Sequence, residues 1–313
     1  MEIIRYTAPF DYAQVLSLIE KTFGKSEAML ELPQMNGTEK EHNIDWIYVA
    51  KEGETLLGTV HATIPQKESR ICGVSGVCTT EAARGKGVAK ALFARMMDDI
   101  DGAGVKVSLL GTGNPIAVKL YESFGFRYLV CSGVMIRLRD CDLVDFISKS
   151  YQAEPRRFEI TEGNAGFRIP IIPLILHQGC GFLLDCNTNL LGRGTLSQTC
   201  CMSLYQRYLT LRDKGGQFFG ALDENGLLGA IASVMPTETG LRADFFCCKN
   251  FDGAVPALLK QCEAQGDVYL QLSETDKRKQ ELAEALGYHA VESEMYHYGE
   301  CLIPTVIYRK SIQ

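Results

Sequence analysis

Residues 79–93, TTEAARGKGVAKALF, place two glycines and two cations in a short loop between the valine-containing run Gly73–Thr79 and a helical pattern. After the loop, apolar residues recur at Val88, Leu92 and Met96 and at Ala89, Phe93, Met97 and Ile100, with Lys90 and Asp98 outside the stripe. That spacing predicts a helix with one broad apolar face. A helix start carries several backbone N–H groups without intrahelical partners, and the helix dipole adds positive potential there. Gly85 and Gly87 let the backbone curl around an anion where a Cβ would obstruct it, and Arg84 and Lys86 add charge beside it. The loop reads as a seat for phosphate oxygens; the plainer alternative is a glycine turn with solvated cations. The spacings of a P-loop and of the G-x-G-x-x-G dinucleotide fingerprint are both absent.

Around the loop, the first 140 residues predict a strand at EIIRYT, a helix at DYAQVLSLIEKTF and an irregular stretch to about Asp45 for which a helix stays open. A hairpin follows in WIYVAKEGETLLGTVHATI with Glu52-Gly53 near its turn, then a strand ICGVSGVCT, the loop and its helix. A strand KVSLLG, a helix NPIAVKLYESF and two short strands in RYLVCSGVMIRL complete the run. Strands and helices are interleaved, so the fold class is mixed α/β.

The helix NPIAVKLYESF has Asn114 as N-cap, Pro115 at its first position and Gly125 just past its end. Ala117, Leu120, Tyr121 and Phe124 share one face, so Tyr121 points inward, which also suits a plain core aromatic. Together, Arg84-x-x-Gly87-x-Ala89 after a strand and before a helix, and the later NPIAVKLYESFGF, resemble the GNAT superfamily of N-acetyltransferases. The resemblance covers residues 1–140 and implies acetyl-CoA, or a related acyl-CoA, as co-substrate with no metal. It implies that Val77, Cys78 and Thr79 hold the pantetheine arm through their backbone. The pyrophosphate would fall to Arg84, Gly85, Lys86, Gly87, Val88 and Ala89, with Asn114 also reaching the cofactor. Tyr121 would protonate the departing thiolate. A carboxylate base on the strand before the loop is missing from ICGVSGVCT; Glu68, Glu81, His61 or a water chain remain open, with His61 read as a half-buried strand residue.

The second half carries a faint copy. AKEGETLLG at 50–58 is echoed by ALDENGLLG at 221–229, and VKLYESFGF ending at Phe126 by QELAEALGY ending at Tyr288. The phosphate loop does not recur, FFCCKNFDGAVPALL standing where it should, while Asp276 falls at the position of Asn114 and Ala283 at that of Tyr121. The expected organisation is therefore a tandem GNAT fold. Residues 1–140 form a catalytic domain, 141–165 a polar linker and 166–313 a degenerate copy, with 166–211 left without an assigned structure.

Of the 313 residues 46% are hydrophobic and 22% charged, an ordinary globular balance, and no apolar run approaches the roughly 18 residues of a membrane span. The first residues lack a signal-peptide pattern, so a cytoplasmic protein is expected. The net charge of −6 argues against nucleic acid as partner. Twelve cysteines without a C-x-x-C pair suggest reduced, mostly buried thiols. The expected partners are a small-molecule primary amine, or an amine on a protein, and a second copy of the chain as homo-oligomer. An acyl-CoA sensor without turnover is the rival of another class.

Overall fold

The computed structural model describes residues 1–129, 132–176, 184–192 and 201–310. Cys200 and the centre of RYLVCSGVMIRL, at 130–131, lie outside the described residues. The chain forms two compact units. The first is Met1–Leu143 with Asn164–Pro170 and the described part of Gln198–Ser203; the second is Val144–Gly163 with the described parts of Ile171–Ser197 and Leu204–Gln313.

The first unit runs β1 (Glu2–Thr7), α1 (Ala13–Phe23), α2 (Lys25–Asn36), β2 (Asn43–Glu52), β3 (Thr55–Pro65), β4 (Ile71–Thr79), α3 (Val88–Gly102), β5 (Val107–Gly111), α4 (Pro115–Glu122), β6 (Arg127–Tyr128) and β7 (Val134–Leu138). Its seven-stranded sheet has the order β1-β2-β3-β4-β5-β7-β6, in which only β4 and β5 pair in parallel. Alternation along the strands splits their side chains between two cores. Val60, Ala62 and Ile64 of β3 join Leu92, Phe93 and Met96 of α3 on one face. On the other, Ile47 and Val49 of β2 meet Val15, Leu18 and Ile19 of α1 and Ala28 and Met35 of α2. The stretch read as irregular before Asp45 is thus the regular helix α2, ended by Gly37 in the left-handed region. Its inward face is polar, with Glu31 and Gln34 buried, which hid it from an apolar-periodicity reading.

The second unit continues from α5 (Leu143–Ile147), which spans the division, through β8 (Glu159–Glu162), α6 (Ile171–Leu176), β9 (Leu184–Asp185), β10 (Leu190–Leu191) and α7 (Ser203–Asp213). It ends with β11 (Gln217–Leu222), β12 (Leu228–Thr237), β13 (Gly240–Cys247), α8 (Val255–Glu263), β14 (Val268–Ser273), α9 (Lys277–Ala285), β15 (Tyr288–Tyr298) and β16 (Cys301–Lys310). Its main sheet has the order β15-β16-β14-β13-β12-β11-β8. Counted from its own first strand this is the order of the first sheet, and the parallel pair again joins the fourth and fifth strands. The stretch 141–165, read as linker, contains α5 and β8, and Asn164–Pro170 packs within the first unit. There Arg168, 2% exposed, pairs with Glu39, and the Asn43 side-chain amide donates to the Ala165 carbonyl at 3.0 Å.

Candidate active site

β4 pairs with β5 only over Ile71–Gly73 against Val107–Leu109, although β4 runs on to Thr79 and β5 to Gly111. Beyond Gly73 the two strands share no ladder among the described residues, so the end of β4 faces a gap. β4 also bulges there. Thr59 lies opposite Cys78 and His61 opposite Ser75, which gives β4 one residue more than β3, and Gly76 takes φ +59°. The extra residue switches the strand's faces: Cys72 and Val74 point into the α3 core, and Cys78 into the α1 core.

The loop between β4 and α3 contains a turn at Glu81–Ala83 and two glycines in the left-handed region, Gly85 at φ +73° and Gly87 at +78°. A Cβ built on either would meet nothing within 4 Å, so both glycines border open space. Gly87 is the N-cap of α3 and no side chain caps the helix start. The first turn therefore presents N–H groups outward with its dipole unopposed. Val88 is buried, so it can offer only its backbone, while Arg84 and Lys86 are exposed. Arg84 stands 3.9 Å from Glu81, an exposed pair of little energetic weight. Thr79, Thr80, Glu81 and Arg84 line a cleft of about 650 Å³ together with Gln14, Ser17, Lys21 and Thr22 of α1. The α1 residues were missed in the sequence, where the polar stripe Gln14, Ser17, Lys21 at helical spacing was the available signal.

Asn114 caps α4, its Oδ1 accepting from the Ile116 N–H at 2.9 Å, with Pro115 at the first helical position. Two turns on, Tyr121 is 5% exposed, its ring 5.3 Å from Phe93 and 6.2 Å from Phe126 between centroids. Its hydroxyl has no hydrogen-bond partner among the described residues. Burial pushes its pKa up to about 12, and the neighbouring Cys78 thiol adds to this. The Cys78 thiol is itself pushed up to about 12 by burial.

Residues 3–129 match the family model of the acetyltransferase (GNAT) domain. The first unit is similar to a GNAT acetyltransferase domain. No curated protein sequence matches the chain. Similar solved structures include a GCN5-related N-acetyltransferase from Anabaena variabilis, at 14% identity, covering 80% of this chain and 60% of that one, TM-score 0.35. A putative acetyltransferase from Salmonella typhimurium, solved with its cofactor acetyl-CoA, has 10% identity and covers 50% of this chain and 94% of its own, TM-score 0.34. A spermidine N-acetyltransferase chimera from Vibrio cholerae has 11% identity over 49% of this chain and 95% of its own, TM-score 0.37.

The three base candidates of the first unit separate clearly. The Glu81 side chain is 90% exposed. Glu68 is buried but engaged by Arg70, whose Nε donates to it at 2.7 Å. His61 is fully buried and not half-buried as its strand position suggested, because α2 covers that face of β3. Its Nδ1 lies 2.9 Å from Glu31 Oε2, and the Ser75 hydroxyl donates to the same carboxylate oxygen at 2.8 Å. Nearby, burial pushes the Asp45 carboxyl up to about 7, against the Thr63 hydroxyl that donates to it at 2.7 Å. Among the described residues no group of His, Cys, Asp and Glu is arranged to hold a metal ion, and no helix is long and apolar enough to cross a membrane.

Proposed function

We propose that the chain is an N-acetyltransferase that moves an acetyl group from acetyl-CoA to a primary amine by direct attack in a ternary complex. The observation that carries the reading is the gap at the end of β4, which opens beside an uncapped helix start with two glycines bordering open space. These residues fit an acyl-CoA: the amides of Gly85 to Ala89 would take the pyrophosphate, with Arg84 and Lys86 beside it, and the backbone of Val77, Cys78 and Thr79 the pantetheine arm. Asn114, whose Oδ1 is spent on the helix cap, would offer its Nδ2. Acetyl-CoA supplies the activated acyl carbon.

Tyr121 supplies a hydroxyl with no internal partner, held rigid by Phe93 and Phe126. With its pKa near 12 it keeps its proton at neutral pH, and full transfer to a thiolate of ordinary pKa ~8.5 would be uphill by several kcal/mol. Tyr121 therefore acts first as a hydrogen-bond donor to the developing negative charge on sulfur, completing the proton transfer as the thiol forms. The Cys78 thiol, neutral at working pH, favours direct attack over an acyl-cysteine intermediate. The acceptor class is a small-molecule amine, the protein acts in the cytoplasm, and the second unit, whose sheet begins at β8, is a degenerate copy. The test is incubation with acetyl-CoA and a panel of primary amines while trapping free thiol. Thiol release that depends on an amine supports the reading; acetyl-CoA binding without release under any amine makes the protein a sensor.

A further inference from the structure

We infer that His61, oriented by Glu31, is the group that takes the proton from the attacking amine; the inference rests on the acyl-transfer reading above. His61 lies on β3 directly opposite Ser75, at the edge of the β4 bulge. A Cβ on Gly76 would sit 2.7 Å from His61 Nδ1 and 2.9 Å from its Cε1, so the imidazole edge rests on the bulge backbone, and a glycine is needed there for contact as well as for its φ of +59°. The bulge is the part of β4 that has left β5, immediately before Val77–Thr79. The ring thus backs onto the segment that would hold the thioester.

The ring's two nitrogens are in different situations. Nδ1 meets the Glu31 carboxylate at 2.9 Å, whereas Nε2 is buried with no partner among the described residues. An ionised carboxylate only accepts hydrogen bonds, so the Nδ1 proton is donated to Glu31 and the lone pair is left on Nε2. An orphaned buried nitrogen is costly to a fold, which makes its retention a pointer to a ligand. Gln34 Nε2, on the same helix face as Glu31, is a second buried donor without a partner. The charged or titratable groups around the pair are Glu27 and Glu31 of α2, Asp45 of β2 and Cys78 of β4; Glu39 is neutralised by Arg168. The surroundings are acidic, which suits a base that becomes a cation when it accepts a proton.

In the step, the amine nitrogen bonds to the acyl carbon as its N–H proton passes to His61 Nε2. The carbon–sulfur bond breaks and sulfur receives the Tyr121 proton. Water then restores the Tyr121 proton and removes the one on His61, which leaves amide and free thiol.

The experiment reads the imidazole directly. In the full chain labelled with nitrogen-15 histidine, ring shifts of the five histidines are recorded from pH 6 to 9, and His61→Asn identifies the His61 signals. The expected result is an Nδ1-protonated ring with a bare Nε2 in the neutral form. An Nε2-protonated ring, or an imidazolium throughout the range, overturns the proposal. In parallel, acetyl transfer to spermidine, tyramine and a lysine peptide is followed with pH. His61→Asn should lower kcat by roughly 10² to 10⁴ and abolish the acidic limb of kcat/KM, with the KM for acetyl-CoA unchanged. Glu31→Gln should move that limb to lower pH, which a merely structural role would not do. Wild-type kcat in folded His61→Asn also overturns the proposal. If none of the three amines turns over, the ring tautomer decides. Calorimetry of wild type with acetyl-CoA keeps the two readings apart: no binding removes the acyl-CoA function, while binding with the wrong tautomer removes only the role of His61.

Discussion

The two sheets share one strand order and one parallel pair, and they differ in what lies where that pair comes apart. In the first unit β4 leaves β5 after Gly73, and no ladder joins the two strands beyond it among the described residues. In the second, β13 leaves β14 after Ala243, and the segment after β9 bridges the separation. The Cys186 N–H donates to Asp244 Oδ2 on β13 at 2.8 Å, and its thiol donates to the Gln271 carbonyl on β14 at 3.5 Å. Lys279 of α9 fixes the arrangement, donating to the Leu184 carbonyl at 2.9 Å and to Asp244 Oδ1 at 2.5 Å. The helix that follows differs in its approach and not in its cap: α3 starts at Gly87 and α8 from a turn, Lys249–Ala254, whose Asp252 carboxylate is paired with Arg278, and neither helix start has a side-chain cap.

The lesson is that a splayed sheet leaves backbone donors and acceptors that must be met by something, and the two units meet them differently. The second unit satisfies them with its own chain and its own carboxylate. In the first no ladder follows Gly73 among the described residues, and under the acyl-transfer reading the cofactor would meet them. Retention of the frame with loss of the opening is what would be expected of a copy kept for its fold.

The comparison is tested most severely at Tyr121 and Ala283, which occupy matching helices. Tyr121→Phe should preserve acetyl-CoA affinity and lower kcat by about 10² to 10⁴, or roughly 3 to 5 kcal/mol of barrier. Substitution of Ala283 by Ser should leave kcat unchanged. Rapid-quench and steady-state assays check both; an unaltered kcat in Tyr121→Phe would assign the donor role to water. Effects of comparable size, on stability, are expected at the two buried ion pairs. Arg168→Met strands Glu39 with, among the described residues, only the Asn43 amide, 3.4 Å away, and should cost about 3 to 5 kcal/mol in urea unfolding. Lys279→Met leaves Asp244 with N–H donors from Cys186 and Phe245, at 2.8 and 2.7 Å, and should cost less. Hydrogen exchange would show the Arg168 effect in the first unit and the Lys279 effect in the second.

How far these sites were legible in the sequence follows from the range of the interactions involved. The loop, the α4 cap and Tyr121 depend on neighbours within one or two turns, so local spacing announced them. The Glu31–His61 pair spans 30 residues and the Glu39–Arg168 pair 129, and neither distance is set until the strands pair. α2 was missed for a related reason: the face it buries is built of Glu31 and Gln34, which become core residues only against His61 and Ser75. The strand β8 was hidden by its four-residue length and polar composition, Glu-Ile-Thr-Glu, at the edge of the second sheet.

The anion seats give the next contrast. Arg84→Glu or Gly87→Asp should weaken acetyl-CoA binding roughly ten- to a hundredfold, as expected from losing about 1.5 to 3 kcal/mol of charge-assisted hydrogen bonding. Asp252→Asn in the second unit removes the internal carboxylate and should leave acetyl-CoA affinity and stoichiometry as they were. Calorimetry reports both quantities. A second equivalent of acetyl-CoA bound by Asp252→Asn would mean that the Asp252–Arg278 pair keeps the cofactor out of the second unit, and that the bridge at Cys186 is secondary.

The smallest effect separates a structural role from a binding one at a single residue. Asn114 and Asp276 are matching N-caps: Asn114 Oδ1 accepts from Ile116 N–H at 2.9 Å and Asp276 Oδ1 from Lys279 N–H at 3.1 Å. Replacing either by Ala removes the cap of its helix and should cost ~1 kcal/mol of stability. The cost at Asp276 should be at the upper end, since the residue is 9% exposed and the Lys279 N–H loses its acceptor where water offers little help. If Asn114 only caps, Asn114→Ala and Asp276→Ala will match in unfolding and both will bind acetyl-CoA as wild type does. If its Nδ2 also reaches the cofactor, Asn114→Ala will lose several-fold in affinity beyond the stability change, and Asn114→Asp, which keeps the cap and removes the donor, will lose the affinity alone. The Asp variant therefore decides the matter: full affinity in Asn114→Asp leaves the residue to the helix and takes it out of the binding site.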